Sequence, residues 1–374
     1  MNILLSLAGI RFDRGMGEYI RMFLPFLCKE FKERLLIVSN KNVPNELLNT
    51  IFTHSSLFYK KEVPYPVFEQ FLIPKIIKNY GVKVAYFPAN TFPLIKPKNI
   101  KFIVTIHDLM FLKSDLKPKN LYQKIGKAYR AFIIKNGIRK VDTLICNSNS
   151  TLNEFKKIFG IPKNINEISV VYNPLNFDRK EKYDDSIIKI LNIDNEEYIY
   201  TISGTSPNKN FDFVLKAFSK LRSLYPNLKL VVSGIYKPDD IKLYKSILKS
   251  FDIENSVIFT GYVTEEQKKS LMKNCKAFIF LSKDEGFGRP IIEALIEGAT
   301  VIASDIEVFR EIGGKYVCYV DVNDDNCLVN FFLNYKPVEN DYNEMLNYLK
   351  AKFDVNTLAN KLIKMIYQIM EDDD

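Results

Sequence analysis

Two successive series of short apolar runs, separated by longer segments of helical periodicity, occupy almost the whole 374-residue sequence. The runs of the first series are residues 2–8, 35–39, 82–87, 102–106, 143–147 and 168–172. The runs of the second series are residues 198–203, 228–233, 257–260, 277–281, 300–304 and 317–320. Apolar strands that alternate with helices are typical of parallel sheets covered by helices on both faces. We therefore predict an α/β protein with two doubly wound domains.

A polar, charged stretch at 178–185 separates the two series. We place the first domain at residues 1–175 and the second at 186–354, and we expect a final helix within 355–374 that packs on either domain. Ligands of open α/β sheets bind at the carboxyl ends of the strands. We therefore expect the two sheets to face each other across a cleft that forms the active site.

The composition excludes several classes of protein. Hydrophobic residues make up 47% and charged residues 26% of the sequence, as in globular rather than disordered proteins. No apolar run approaches the roughly 18 residues of a membrane span, and the N-terminus lacks the basic region of a signal peptide. We therefore expect a cytoplasmic protein.

Cysteine and histidine offer little for metal or disulfide chemistry. The five cysteines have no paired spacing and sit beside apolar residues, which favours small buried side chains over disulfides or zinc ligands. They are Cys28, Cys146, Cys275, Cys318 and Cys327. Only two histidines are present, so a histidine-rich metal site is not available. We predict no bound metal.

Positive charge is concentrated in one segment. The formal net charge is +9, and residues 113–140 hold nine Lys or Arg against one acid, Asp115. A solvated helical face, an anionic membrane surface and an acceptor that carries phosphate all fit this pattern. No nucleic-acid-binding motif accompanies the basic segment, so we do not expect a nucleic-acid partner.

Glycine-containing turns follow the first strand of each series. Gly15 and Gly17 lie where the first strand leads into a helix, and backbone N–H groups at such turns can approach a phosphate. A plain tight turn fits equally well, because the triple-glycine spacing of dinucleotide-binding proteins is missing. In the second series Lys209 stands at the mouth of the turn 204–210. The helix dipole disfavours a cation there, which favours phosphate binding over a solvent-exposed lysine.

The most informative segment is residues 282–294, where a strand leads into a loop and then a helix. Two glycines flank Phe287, and their backbone donors can bind a sugar or a phosphate. Glu285 in the loop and Glu293 in the helix can accept hydrogen bonds from hydroxyl groups, although a carboxylate near a helix N-terminus is also favourable by itself. His107 follows another strand, at a carboxyl end where ligands bind.

The sequence resembles family 4 of the retaining glycosyltransferases, whose architecture of two Rossmann-like domains is called GT-B. Residues 285–294 match the family's two glutamates separated by seven residues, and 298–304 resemble the glycine-to-serine segment that follows them. Further matches are 107–109, 147–150, 170–173, 209–210 and 259–263. They occur in the family's order over nearly the whole chain, and their contexts are most similar to bacterial mannosyl- and rhamnosyltransferases of surface polysaccharide assembly.

The resemblance implies which of these residues would bind the nucleotide part of the donor. Glu293 would hold the ribose hydroxyls of the donor, and Tyr262 and Val263 would lie beside the base. Lys209 would neutralise the leaving diphosphate. Many members have Arg where this sequence has Thr205, so that contact with the diphosphate would come from elsewhere.

The resemblance also implies which residues would bind the donor sugar and the diphosphate next to it. Glu285 and the backbone around the loop would hold the donor sugar, and His107 would contact the sugar that is transferred. Gly15 and Gly17 would let the backbone approach the diphosphate. The loop residues concerned are Gly286, Phe287, Gly288 and Arg289, of which Arg289, like Arg14, is a candidate for the missing diphosphate contact.

The resulting prediction is an enzyme that moves a hexose with retention, without a metal or other cofactor. GDP-mannose is favoured over a UDP-sugar as donor, and the acceptor is a glycan or lipid-linked glycan at the inner face of the plasma membrane. A GT-B sugar-nucleotide epimerase and a non-catalytic GT-B scaffold subunit remain alternatives. A nicotinamide oxidoreductase is disfavoured because neither glycine turn has the dinucleotide spacing.

Overall fold

The computed structural model describes residues 2–12, 15–113, 121–178, 182–334 and 341–371. Within these ranges no helix is both long enough and apolar enough to cross a lipid bilayer.

Contacts between residues divide the chain into two compact units. The first comprises Met1–Asp178 together with Lys350–Asp374, and the second comprises Arg179–Leu349. Each unit contains its own sheet, and every pair of neighbouring strands in both sheets is parallel. Helices connect the strands. The predicted α/β class with two doubly wound domains is therefore confirmed.

The sheet of the first unit has seven strands in the order β3-β2-β1-β4-β5-β6-β7. The strands are β1 (Asn2–Ser6), β2 (Leu35–Ser39), β3 (Leu57–Lys60), β4 (Val82–Phe87), β5 (Lys101–Ile106), β6 (Thr143–Cys146) and β7 (Glu167–Val170). The helices among them are α1 (Gly15–Phe31), α2 (Asn45–Thr53), α3 (Tyr65–Val67), α4 (Ile73–Asn79), α5 (Leu121–Gly137) and α6 (Asn149–Phe159). A π-helical turn, Phe68–Leu72, joins α3 to α4.

Both faces of this sheet are buried, which explains why its strands are continuous apolar runs rather than alternating ones. In β1, Leu5 pairs with Ile37 of β2 and packs in the core beneath α1 and α2. Its neighbour Leu4 points to the opposite face and packs in the core formed with α4, α5 and α6. The side-chain period of two in a strand distributes the apolar residues between two cores.

The sheet of the second unit has six strands in the order β10-β9-β8-β11-β12-β13. The strands are β8 (Tyr198–Ile202), β9 (Lys229–Ser233), β10 (Val257–Gly261), β11 (Ala277–Phe280), β12 (Val301–Ser304) and β13 (Cys318–Val320). The helices are α7 (Ser186–Ile190), α8 (Phe211–Leu224), α9 (Pro238–Ser250), α10 (Glu265–Asn274), α11 (Arg289–Ile296), α12 (Glu307–Gly313) and α13 (Cys327–Asn334). Helix α14 (Tyr342–Phe353) begins in the second unit and ends in the first. The strand order reverses between β8 and β11, so the loops that follow these two strands adjoin a crevice where ligands of such sheets bind.

The last helix, α15 (Val355–Glu371), belongs to the first unit, where it packs against α1. Its apolar residues, among them Leu358 and Leu362, join the core that α1 covers. The hydroxyl of Tyr367 donates a hydrogen bond to Glu30 of α1. The acidic residues 372–374 lie outside the described ranges.

Candidate active site

The loops that follow β8 and β11 are held together by amide side chains. Nδ2 of Asn208 donates to the carbonyl oxygen of Asp284 at 3.1 Å, and Nδ2 of Asn210 donates to that of Leu281 at 3.2 Å. The backbone N–H of Lys283 returns a bond to the carbonyl of Asn208 at 2.8 Å. Asn210 adopts the left-handed conformation, with φ of 54°, a region that asparagine tolerates better than most residues. These bonds fix the two loops as one structure.

Lys209 and Glu285 meet where these loops adjoin. Nζ of Lys209 lies 2.6 Å from Oε1 of Glu285 and 4.8 Å from the centre of the Phe280 ring. Both charged side chains are partly buried, with 26% and 13% of their surface exposed. The structure therefore brings together two residues that the sequence assigned to phosphate and sugar binding. In this arrangement the carboxylate balances the charge of the ammonium group.

Gly288 has a conformation that only glycine adopts easily. Its φ is +104°, and a Cβ built on it would lie 2.7 Å from the ring of Phe309. The chain turns here from the loop into α11, whose first turn contains Pro290. Phe287 is buried beside this turn. The loop 282–288 thus directs the N-terminal N–H groups of α11, which carry partial positive charge, to the carboxyl end of β11.

Glu293, one turn into α11, is a half-buried carboxylate between two cations, with 16% of its side chain exposed. Nε of Arg289 lies 2.7 Å from its Oε1, and Nζ of Lys268 lies 2.9 Å from its Oε2. Burial by itself raises the pKa of this carboxyl, but the two cations outweigh burial and hold the pKa at about 2. Glu293 is therefore ionised at neutral pH. Arg289, a candidate for the diphosphate contact, binds Glu293 here.

Tyr262 and Val263 follow β10, at the same edge of the sheet as the other loops. Tyr262 is exposed, and its ring centre lies 4.9 Å from that of Tyr236, which follows β9. Val263 is half-buried, as is Thr205 in the loop after β8. The structure therefore adds a second aromatic ring to the predicted base-binding region.

His107 in the first unit is buried at the carboxyl end of β5. Its backbone N–H donates to Oδ1 of Asn90 at 2.6 Å, and its Nε2 bonds to the carbonyl oxygen of Pro88 at 2.7 Å. A carbonyl only accepts, so Nε2 carries the proton and Nδ1 is left as an acceptor. Burial lowers the pKa of His107 to about 4. The ring is therefore neutral at physiological pH.

Gly15 and Gly17 begin α1, which follows β1. Gly17 is required by close packing, because a Cβ there would clash with the backbone of Arg11 and Phe12. Gly15 is exposed and has open space around it. Arg14 lies outside the described ranges.

Two features of the site were missed by sequence analysis. Lys268 and Tyr236 are distant in sequence from Glu293 and Tyr262, the site residues that they contact. Lys268 belongs to no recognised motif, whereas Tyr236 follows the turn at Gly234 after β9, a signal that could have indicated it. The capping box of α10, in which Thr264 and Gln267 bond reciprocally, predicts where that helix begins. It does not predict which neighbour Lys268 meets.

No metal-binding cluster is present in the part of the chain that the structure describes, in the sense of three or more His, Cys, Asp or Glu side chains placed to share an ion. Cys28, Cys146 and Cys327 are buried, whereas Cys275 and Cys318 are half-buried, and all five are free thiols.

Comparison with known proteins matches both units of the chain to glycosyltransferases. The family model described as Glycosyltransferase Family 4 matches residues 15–179, and the model described as Glycosyl transferases group 1 matches residues 184–330. The O-antigen chain mannosyltransferase RfbU of Salmonella typhimurium is 25% identical over 363 residues, which cover 92% of this chain and 93% of that protein. An N-acetylgalactosaminyltransferase of Campylobacter jejuni that acts on a diphospho-undecaprenol-linked substrate is 22% identical over 337 residues, or 84% of each chain.

Solved structures show the fold. Anabaena HepE, crystallised with UDP and glucose, superposes with a TM-score of 0.71 at 17% identity and covers 98% of this chain and 100% of its own. WaaG, a glycosyltransferase involved in lipopolysaccharide biosynthesis, superposes with a TM-score of 0.67 at 13% identity, with 97% and 99% covered. Both have the GT-B fold, as the motifs predicted.

Proposed function

The chain belongs to glycosyltransferase family 4, and from this premise we propose that it transfers a hexose, mannose in the first instance, from a nucleoside diphosphate sugar with retention of configuration. GDP-mannose is the favoured donor and a UDP-sugar the second. The similarity to the O-antigen mannosyltransferase over most of both chains supports mannose, and supports a role in surface polysaccharide synthesis.

The observation that carries this proposal is the contact of Lys209 with Glu285 beside the N-terminus of α11. Cleavage of a glycosyl phosphate bond places negative charge on the diphosphate and oxocarbenium character on the sugar. An ammonium group and helix N–H groups that already point to the leaving group stabilise that charge without rearranging. We infer that these groups replace a metal ion as the partner of the diphosphate.

Glu285 takes a second role once the diphosphate is bound. The phosphate oxygens compete for the Lys209 ammonium, and the Glu285 carboxylate then accepts hydrogen bonds from hydroxyl groups of the donor sugar. Glu293 accepts from the ribose hydroxyls because its pKa of about 2 keeps it ionised. The rings of Tyr236 and Tyr262 offer an aromatic surface for the base.

His107 is assigned to the sugar that is transferred. Its proton on Nε2 is engaged by Pro88, so Nδ1 accepts from a sugar hydroxyl, and the neutral ring adds no positive charge beside an oxocarbenium-like centre. No side chain is needed as a nucleophile in this scheme. The acceptor hydroxyl attacks from the face that the diphosphate leaves, and a phosphate oxygen takes its proton.

We place the acceptor at an anionic membrane surface, in the cytoplasm, because of the outer face of α5. Leu121, Ile125 and Phe132 are 71%, 60% and 56% exposed, and at 100° per residue they lie within about 40° of one another around the helix. Exposed Lys124 and Lys135 flank this apolar stripe on one side. An apolar stripe edged by lysines suits the interface of an anionic bilayer. Residues 114–120 of the predicted basic segment lie outside the described ranges.

The proposal is tested first by thermal unfolding with GDP, UDP and ADP, each with and without EDTA. A ligand at about one hundred times its dissociation constant stabilises the folded protein by roughly 2.7 kcal/mol. We expect GDP to raise the midpoint most, with no effect of EDTA. A response that requires a divalent cation would contradict the metal-free mechanism, and no response to any nucleotide would favour the scaffold alternative.

Turnover assays then separate transfer from the other alternative. GDP-mannose should be consumed faster when a glycan or lipid-linked acceptor is added, and NMR of the product should show the anomeric configuration of the donor. If a UDP-sugar is instead consumed at the same rate with and without an acceptor, that result would support the epimerase.

A further inference from the structure

Lys268 extends from α10 towards carboxylates on two helices. Its Nζ lies 2.9 Å from Oε2 of Glu293 in α11 and 2.8 Å from Oε2 of Glu265, one turn away in α10. Only 14% of the lysine side chain is exposed, whereas 63% of Glu265 is. Lysine is rarely buried unless it is paired. α10 therefore supplies a largely dehydrated cation to a carboxylate of a different helix.

The two cations around Glu293 bind different oxygens. Arg289 shares a helix with Glu293 and bonds Oε1, while Lys268 comes from α10 and bonds Oε2. Charge-assisted bonds from two separate helical segments fix both the position and the tilt of the carboxylate plane. An ionised carboxylate has about four acceptor positions. Each oxygen of Glu293 thus retains capacity for another donor.

The charge state of Glu293 depends on both Arg289 and Lys268. Burial favours the protonated form of Glu293, and the nearby ammonium and guanidinium groups reverse that preference. The pKa of Lys268 shows the same coupling, because Glu293 and Glu265 raise it even though burial acts to lower it. Loss of one cation from a buried pair leaves charge that is poorly compensated. A carboxylate that is protonated, or free to rotate, would no longer offer two acceptor oxygens to a vicinal diol.

We propose that Lys268 is a positioning residue for the donor nucleotide, and that it holds Glu293 so that both carboxylate oxygens accept the two ribose hydroxyls. The inference rests on the proposed function, in which Glu293 binds the ribose. Lys268 acts through Glu293 and does not contact the nucleotide. Its loss therefore weakens recognition of the ribose hydroxyls and leaves recognition of the base and the diphosphate in place.

The experiment compares GDP with 2′-deoxy-GDP by calorimetric titration of the full chain, with UDP and 2′-deoxy-UDP in parallel. The readout is the ratio of the two dissociation constants within one variant, which a loss of active protein does not change. We expect the wild type to prefer the ribonucleotide by about tenfold, or 1.4 kcal/mol, and Lys268→Met to reduce the ratio below about threefold. Lys269→Met is the matched control, since that lysine lies next along α10 and faces Glu297, 3.7 Å away.

The outcomes test the positioning role of Lys268 and the ribose-binding role of Glu293 separately. A wild-type ratio retained in Lys268→Met overturns the positioning role and leaves the proposed function intact. A wild type that binds GDP and 2′-deoxy-GDP equally overturns the ribose role of Glu293, and the inference with it. Lys268→Gln, which keeps a hydrogen-bond donor, gives the same comparison if Lys268→Met does not fold, and we expect an intermediate ratio. Lys268→Arg, which keeps the charge, should restore most of the preference.

Discussion

Lys209 and Glu285 are separated by 76 residues in sequence, yet their Nζ and Oε1 atoms lie 2.6 Å apart. The contact exists because β8 and β11 are neighbours in the sheet, and the amide side chains of Asn208 and Asn210 tie their loops together. In the proposed mechanism each partner later binds a different part of the donor. Before the diphosphate binds, the ammonium and the carboxylate therefore neutralise each other.

Replacement of Glu285 by alanine is expected to affect turnover more than affinity. In the proposed mechanism the carboxylate acts on the donor sugar near the reacting carbon, so Glu285→Ala should lower kcat by about a hundredfold, or close to 3 kcal/mol of transition-state stabilisation. Steady-state kinetics with GDP-mannose measure this. Lys283→Ala, which changes an exposed side chain of the same loop, is the control. Near-normal turnover of Glu285→Ala would refute the assignment.

Lys209→Met should weaken binding of the diphosphate rather than of the nucleoside. We expect the affinity for GDP to fall by about tenfold, or 1.4 kcal/mol, while the affinity for guanosine stays at its wild-type value. Calorimetric titration with both ligands compares them. Lys216→Met removes a lysine of α8 that pairs with Asp325 and should leave both affinities unchanged. An equal loss for guanosine would indicate a general disturbance of the loop.

Gly288→Ala should destabilise the protein by about 2 kcal/mol, because a Cβ at φ +104° is strained and meets the Phe309 ring at 2.7 Å. Thermal unfolding measures the change. Gly126 provides the contrast, since it lies within α5 and a Cβ there meets nothing nearer than 3.8 Å. Gly126→Ala should be neutral or stabilising by up to about 1 kcal/mol. Equal thermal unfolding midpoints for Gly288→Ala and Gly126→Ala would show that the turn at residue 288 accommodates a Cβ without loss of stability.

The sequence predicts the strands well because buried parallel strands are short apolar runs. β2 and β4 were predicted at their observed limits, and the other predicted strands differ by one or two residues at their ends. β3 (Leu57–Lys60) was not predicted, because this edge strand is exposed or half-buried along its whole length and its apolar run is only three residues long. Helix α1 begins at Gly15, a start that the sequence pattern does not mark, since glycine gives no helical signal.

Site residues were predicted where they carry a local signal, such as a glycine turn, the end of a strand or a family motif. Glu285 and Glu293 stand out by their spacing around the glycines of one loop. The position of Lys268 against Glu293 depends on how α10 packs beside α11, and no local pattern encodes it. The neutral state of His107 likewise follows from burial, which a single histidine in a sequence does not reveal.

The apolar stripe of α5 should bind anionic vesicles. We expect the wild type to sediment with vesicles that contain phosphatidylglycerol and to stay in solution with pure phosphatidylcholine, because Lys124 and Lys135 add electrostatic attraction. Replacing Ile125 and Phe132 together by serine should abolish the binding. Leu243→Ser alters an exposed leucine of α9 in the other unit and is the control. Sedimentation of the double variant like the wild type would exclude this face as the contact.

The neutral state of His107 predicts a decrease in stability on mild acidification. Burial lowers its pKa from 6.5 to about 4, so between these values the unfolded chain binds the proton more readily than the folded one. The stabilising contribution of His107 is complete above pH 6.5 and is lost as the pH falls to 4, by up to about 3 kcal/mol. In His107→Gln, whose amide can donate to the Pro88 carbonyl as Nε2 does, thermal unfolding between pH 7 and 4.5 should show a smaller decrease than in the wild type. His54→Gln, which changes the only other histidine, should retain the full decrease. The same decrease in both variants would mean that groups other than His107 bind the proton on unfolding.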